Sequence, residues 1–208
     1  MQTPTPSDPT PTRLVLASAS PRRSELLSDV RVPFEVVVSA VDEQTRPGET
    51  PAALVERLAR EKCLDVAERL PKDPARPVLG ADTIVVAGEQ VLGKPRDAEH
   101  AVELLSLLVG ATHRVMTAIA VAWTDGGAAR SQVVTSHVTM RPATRAELEE
   151  YVAVGESLDK AGGYALQGEG ARFVVSVDGS RSNVIGLPQE QTLALLRASG
   201  VSDESLRS

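Results

Sequence analysis

Short apolar runs alternate with helical stripes along the first half of this chain. Leu14 to Ala17 is a four-residue apolar run, the length of a buried strand. A helix is predicted to follow from about Pro21 to Asp29, with Ser20 at its N-cap and Pro21 in the first helical position. Phe34 to Ser39 reads as a second strand, and residues 40–49 as a polar loop carrying Asp42 and Glu43. Thr50-Pro51 starts a long helix that runs to about Leu70. Its stripe of Leu54, Leu58, Lys62, Val66 and Leu70 sets a lysine in the middle of an apolar face. After a Pro-rich patch, Val78 to Ala87 is a strongly apolar strand whose pattern is broken by Gly80 and Asp82.

Gly88-Glu89 then turns the chain into Gln90 to Pro95, and Asp97 caps a helix that Gly110 stops. Two β-rich runs, Arg114 to Thr124 and Ser131 to Met140, are joined by Asp125-Gly-Gly127, a hairpin signal. Thr144 and Glu147 form a capping box for a helix ending near Gly155. A Gly-rich stretch from Asp159 to Gly170 reads as a hinge between two lobes. Phe173 to Val177 is a last strand and Pro188 to Ala198 a last helix. The alternation predicts an α/β protein with a mixed, twisted central sheet flanked by helices. Residues 1–12 read as a disordered Pro/Thr-rich tail, 13–200 as a single domain, and 201–208 as a flexible C-terminal tail.

Composition narrows this picture. The chain has 208 residues, 42% of them hydrophobic but only 2% aromatic, so its core is built from Leu, Val, Ile and Ala. A net charge of −6 argues against broad affinity for nucleic acid or membranes, since counterion release needs a basic surface. Any anion must therefore be held by a local cluster. Cys63 is the only cysteine, which forbids an internal disulfide; it sits in a helical pattern and reads as a structural thiol. No secretory h-region and no run of roughly 20 apolar residues is present, so a cytoplasmic, membrane-free protein is expected.

The candidate chemistry is ionic. Arg22 and Arg23 lie in the first turn of a helix, where the dipole repels cations. An anion held among those side chains and the free amides would account for them; two solvated arginines on a capped helix would fit as well. Asp82 enters an apolar strand and must be paired, metal-bound or shifted in pKa, which suits a general base or metal ligand at a strand end. Lys62 either snorkels or reaches a cleft. Lys94 stands on a short Gly/Pro-framed loop. His100, His113 and His137 show no zinc spacing, and neither a phosphate-binding Gly-rich fingerprint nor a serine-hydrolase elbow is present. Arginines, lysines and isolated carboxylates together suit a polyphosphate with a divalent cation.

Five motifs carry a resemblance. Ser18-Ala-Ser-Pro-Arg-Arg23, Gly80-Ala-Asp-Thr83, Leu92-Gly-Lys-Pro95, Asp159-Lys-Ala-Gly-Gly-Tyr-Ala-Leu-Gln-Gly168 and Asn183-Val-Ile-Gly-Leu-Pro188 occur in the order found in the Maf family. The chain resembles these house-cleaning nucleoside triphosphate pyrophosphatases from about Arg13 to Ala198. The resemblance implies two lobes with an intervening cleft, a divalent metal (Mg²⁺, Mn²⁺ or Co²⁺) and a homodimer. It matches Asp82 to the catalytic base. It matches Arg22, Thr83 and Gln167 to the positions that mark the dTTP/UTP subfamily, where an amide such as Gln167 can read a pyrimidine edge. In the 7-methyl-GTP subfamily, Gln follows the aspartate and Glu replaces Gln167. Arg23, Lys62, Lys94 and Lys160 match further polar positions of the cleft. With Arg22 they are expected to bind phosphates, and Glu43 and Asp82 to hold the metal. Two alternatives stand beside dTTP/UTP hydrolysis: a 7-methyl-GTP-type pyrophosphatase, and a non-catalytic nucleotide-binding regulator of cell division.

Overall fold

A computed structural model of the chain describes residues 13–207; the expected tail at residues 1–12 lies outside the described residues. The sheet grows from Leu14–Ala17 (β1), buried along its whole length. β1 pairs in parallel with Phe34–Val36 (β2) on one side and with Pro77–Ala87 (β3) on the other. Gln90–Leu92 (β4) folds back on β3. Thr112–Trp123 (β5) runs antiparallel along β3, Arg130–Met140 (β6) along β5, and Val174–Asp178 (β7) along β6. The seven strands form one mixed sheet in the order β2-β1-β3-β5-β6-β7, with β4 off β3. The expected mixed α/β architecture is what the chain adopts.

The register creates a gap. β5 covers one edge of β3 from Pro77 to Val86. The opposite edge is shared: β1 covers residues 78–80 and β4 covers residues 85–87. Between them, residues 81–84 have no strand neighbour on that side among the described residues. β2 is shorter than the expected Phe34 to Ser39 for the same reason. β1 offers no residue beyond Ala17 to pair with, so the ladder ends after the Val37 amide meets the Leu16 carbonyl.

Helices clothe both faces. Pro51–Arg69 (α2), capped by Thr50 accepting from the Ala53 amide, lies across β3. Gly80 makes this contact possible. A Cβ there would fall 2.3 Å from the Ala59 carbonyl oxygen and 2.7 Å from the Cys63 nitrogen, so only a residue without one admits the helix backbone. Cys63 is fully buried and donates its Sγ–H to the Val78 carbonyl; burial pushes the thiol up to about 12, consistent with a structural role. Strand alternation sends Val15, Ala17, Val78, Ile84 and Val86 toward α2. Leu14, Leu16, Leu79 and Ala81 face the other way, toward Pro21–Asp29 (α1) and Gln189–Ala198 (α6). A third cluster joins β3 to β6 with Ala98–Ser106 (α3) and Arg145–Ala153 (α4), whose Thr144/Glu147 capping box forms as expected.

Two expectations need correction. Residues 201–207 do not leave the body as a tail: Val201 and Leu206 are buried in the α1/α6 cluster, because the turn at Gly200 folds them back onto it. A short helix at Arg181–Ile185 (α5) was not anticipated; five residues are too few to display a stripe. Among the described residues no helix is long and apolar enough to cross a membrane.

Gly80→Ala is expected to lower stability by about 1–3 kcal/mol, because the obstructing atoms are helix backbone and cannot swing aside. Urea denaturation checks this as a lower midpoint at an unchanged slope.

Candidate functional site

The gap in the edge of β3 opens into a pocket of about 360 Å³. All nine residues singled out from the sequence line it: Arg22, Arg23, Glu43, Lys62, Asp82, Thr83, Lys94, Lys160 and Gln167. They come from the start of α1, the loop before α2, α2 itself, the middle of β3, the loop after β4 and the Gly-rich stretch. Asp82 and Thr83 are consecutive and point to opposite faces of the sheet. Both reach the pocket because it wraps around the strand edge. The structure thus corrects one detail: Asp82 sits mid-strand, opposite Ala118, and the strand that ends nearby is β1.

On the α2 face, Lys62 joins the two carboxylates. Its Nζ donates to Asp82 Oδ1 at 2.7 Å and lies 2.6 Å from Glu43 Oε1. Asp82 and Lys62 are buried, and Glu43 is half-exposed at the pocket mouth. Burial alone would raise the Glu43 carboxyl, but the hydrogen bond and charge of Lys62, with Lys94 and Arg23 nearby, hold it below its ordinary value. Lys62, expected among the phosphate binders, therefore directs its ammonium at the carboxylates. Asp42, the neighbouring carboxylate of that loop, accepts from the Gln44 amide.

On the other face the two arginines separate. Arg23 is a framework residue: Nε donates to the Gly186 carbonyl (3.0 Å), Nη1 to Ser18 Oγ (3.0 Å) and Nη2 to Thr83 Oγ1 (3.2 Å). The Thr117 hydroxyl gives its single hydrogen to the Asn183 carbonyl, so Thr83, which accepts from Arg23, donates to Thr117 Oγ1. Burial pulls the Arg23 pKa below its ordinary value, against the opposing pull of Asp82 and Glu43. Arg22 reaches outward, 3.3 Å from Asp159 Oδ2. Asp159 also holds Lys160 Nζ at 2.5 Å, so one exposed carboxylate bridges both cations. Ser20 occupies the N-cap position but makes no side-chain capping bond; Ser18 Oγ accepts from the Ser20 amide instead. Ser18, Thr117, Asp159, Asn183 and Gly186 escaped the sequence reading as partners. All but Thr117 lie inside motifs quoted above, and Thr117 is an ordinary strand threonine until its neighbour is known.

The Gly-rich stretch, expected as a hinge, is seated on the sheet. The Gly162 amide donates to the Gly93 carbonyl, and its φ of +70° favours glycine. The Ala165 amide donates to the Tyr151 hydroxyl, and the Tyr164 hydroxyl pairs with His113 Nε2 at 2.8 Å. This seating carries Lys160 and the exposed Gln167 to the pocket wall. His113 is buried with Nδ1 unpartnered, and burial pushes its pKa down to about 4.

No group of three or more His, Cys, Asp or Glu that could hold a metal occurs among the described residues. Of the three carboxylates in the pocket, Asp159 is held by Arg22 and Lys160, and Glu43 and Asp82 are the pair that converges, on Lys62 Nζ. That set fits a hard divalent cation of the Mg²⁺ type, which takes one or two carboxylates and fills its sphere with water and substrate phosphate oxygens.

Residues 13–199 match the family described as Maf-like protein. The chain is 49% identical over 185 residues to a dTTP/UTP pyrophosphatase of Yersinia pestis, covering 89% of this chain and 92% of that protein. It is 48% identical over 190 residues to one from Myxococcus xanthus, covering 91% and 94%. A third, from Escherichia coli O157:H7, is 49% identical over 185 residues, covering 89% and 92%.

The seated stretch generates a pH prediction. The unfolded chain binds a proton at His113 near pH 6.5, whereas the folded one resists it down to about 4. The stabilisation is therefore complete above pH 6.5 and is lost as the pH falls toward 4, amounting to about 3 kcal/mol. Urea titrations at pH 7 and pH 4 check it: the wild type is expected to lose about that much more than His113→Gln.

Proposed function

The chain belongs to the Maf-like protein family, and from that premise we propose that it is a nucleoside triphosphate pyrophosphatase that converts dTTP and UTP to the monophosphate and pyrophosphate. The observation that carries this is Asp82. A buried carboxylate, ion-paired mid-strand, stands at the floor of a pocket where five cationic side chains outnumber three carboxylates, in a chain of net charge −6. Such local inversion of charge suits a polyphosphate.

Each residue has a part. Arg22, Lys94 and Lys160, with the first-turn amides of α1, hold the phosphates. Arg23 holds Thr83 in place beside them. Asp82 takes the proton of a water that attacks the α-phosphorus, the bond from that phosphorus to the bridging oxygen breaks, and pyrophosphate leaves. Glu43 and Asp82 would hold a divalent cation, which would supply charge neutralisation for the leaving group. Gln167 offers an amide donor and acceptor to a pyrimidine edge. The proposal includes a cytoplasmic location and a homodimer.

Pyrophosphate release from a panel of triphosphates with Mg²⁺, Mn²⁺ or Co²⁺ tests the reading. dTTP and UTP are expected to be the preferred substrates, and Asp82→Asn to lower their turnover at least about 100-fold with the fold intact by circular dichroism. A preference for 7-methyl-GTP would defeat the base assignment, and an unimpaired Asp82→Asn would defeat the catalytic one. Light scattering is expected to give twice the 22.0 kDa of one chain.

A further inference from the structure

The Lys62 ammonium stands where its charge matters most to a second cation. It contacts Glu43 Oε1 at 2.6 Å and Asp82 Oδ1 at 2.7 Å, the two carboxylates that fit a divalent ion. It cannot drift away unprompted, because its side chain is buried and its helix is locked to β3 at Gly80 and Cys63. We propose that Lys62 is a resident counter-cation that keeps a divalent metal off the Glu43–Asp82 pair until a triphosphate enters, so that metal and nucleotide bind as one unit.

The physical argument is one of local charge. Two carboxylates alone present a charge of −2, which a divalent cation matches. With Lys62 between them the group presents −1, and an arriving cation meets a like charge already bonded to both of its ligands. Burial of Asp82 and Lys62 limits the solvent screening that would soften this repulsion. An ammonium has three donors, and these carboxylates take two of them. Phosphate oxygens brought into the same pocket give the ammonium other acceptors, and the carboxylates then become available to the metal that the phosphates carry. Arg23 cannot play this part, since its nitrogens are held by Gly186, Ser18 and Thr83. This inference rests on the pyrophosphatase reading for the identity of the nucleotide, but its test does not use turnover.

The test is Mn²⁺ binding to the nucleotide-free full-length protein at pH 7.5, read from the electron paramagnetic resonance signal of free Mn²⁺. Wild type is expected to bind Mn²⁺ only weakly, in the millimolar range. Lys62→Met and Lys62→Gln, which remove the charge at similar length, are expected to bind at least ten times more tightly. Adding Asp82→Asn to either variant is expected to abolish the gain, which places the metal at this pair. Equal affinity in wild type and both variants overturns the proposal. So does micromolar binding by wild type that Asp82→Asn removes, an outcome that needs no folded Lys62 variant. Failure of the pyrophosphatase reading would appear separately, as absence of pyrophosphate release across the triphosphate panel.

Discussion

The site depends on where β1 stops. It ends at Ala17, opposite Gly80, while β3 runs on to Ala87. The residues that follow β1 turn directly into α1, and the residues that follow Gly80 on β3 are left with an open edge. Gly80 has a second consequence. Its missing Cβ lets the α2 backbone lie against the strand, and this close approach brings Lys62 within 2.7 Å of Asp82, two residues farther along. A wider helix–strand spacing would leave Asp82 buried and unpaired, at a cost of several kcal/mol. One short strand and one glycine therefore set both the opening of the pocket and the charge at its floor.

Around that opening, three of the five cationic side chains are ion-paired, while Arg23 is held by neutral acceptors. Lys62 is matched to Glu43 and Asp82, and Arg22 and Lys160 share Asp159. These pairs keep a cluster of cations compatible with folding in the absence of an anion. They differ in depth: the Lys62–Asp82 bond is buried, while Asp159 is exposed and its contacts are easily exchanged with solvent. The outer pairs yield to an incoming phosphate at little cost, and the inner one resists.

Local signals were legible in the sequence, and non-local ones were not. The Thr50 cap and the Thr144/Glu147 box involve residues within one helical turn, the stripe of α2 repeats at every fourth residue, and each forms as read. The long runs of β3, β5 and β6 also declare themselves by composition. The truncation of β2 and the gap on β3 depend on the length of another strand, which no local pattern records. The arginines show the same divide. Their placement beside a helix start is visible in Ser18 to Arg23, but their separate tasks are set by Thr83, Asp159 and Gly186, between 60 and 163 positions away. Lys62 was recognised as anomalous on its apolar face, yet its partner Asp82 lies on a different element.

The division between the arginines has a chemical consequence for selectivity. Arg23 makes rigid what the pocket must hold constant: the Thr83–Thr117–Asn183 chain ties β3, β5 and α5 into one wall. Arg22, Lys160 and Lys62 are the groups whose partners must change. A lone phosphate would break the Asp159 bridge but leave Lys62 on its carboxylates, and a lone metal would meet Lys62 unrelieved. On the proposed reading, a triphosphate carrying its cation would exchange both sets at once, giving anions to the lysines and arginine and a cation to Glu43 and Asp82. On the role proposed for Lys62, discrimination in favour of a metal-bound triphosphate over its separate parts arises because neither part alone satisfies the charges that the other leaves behind.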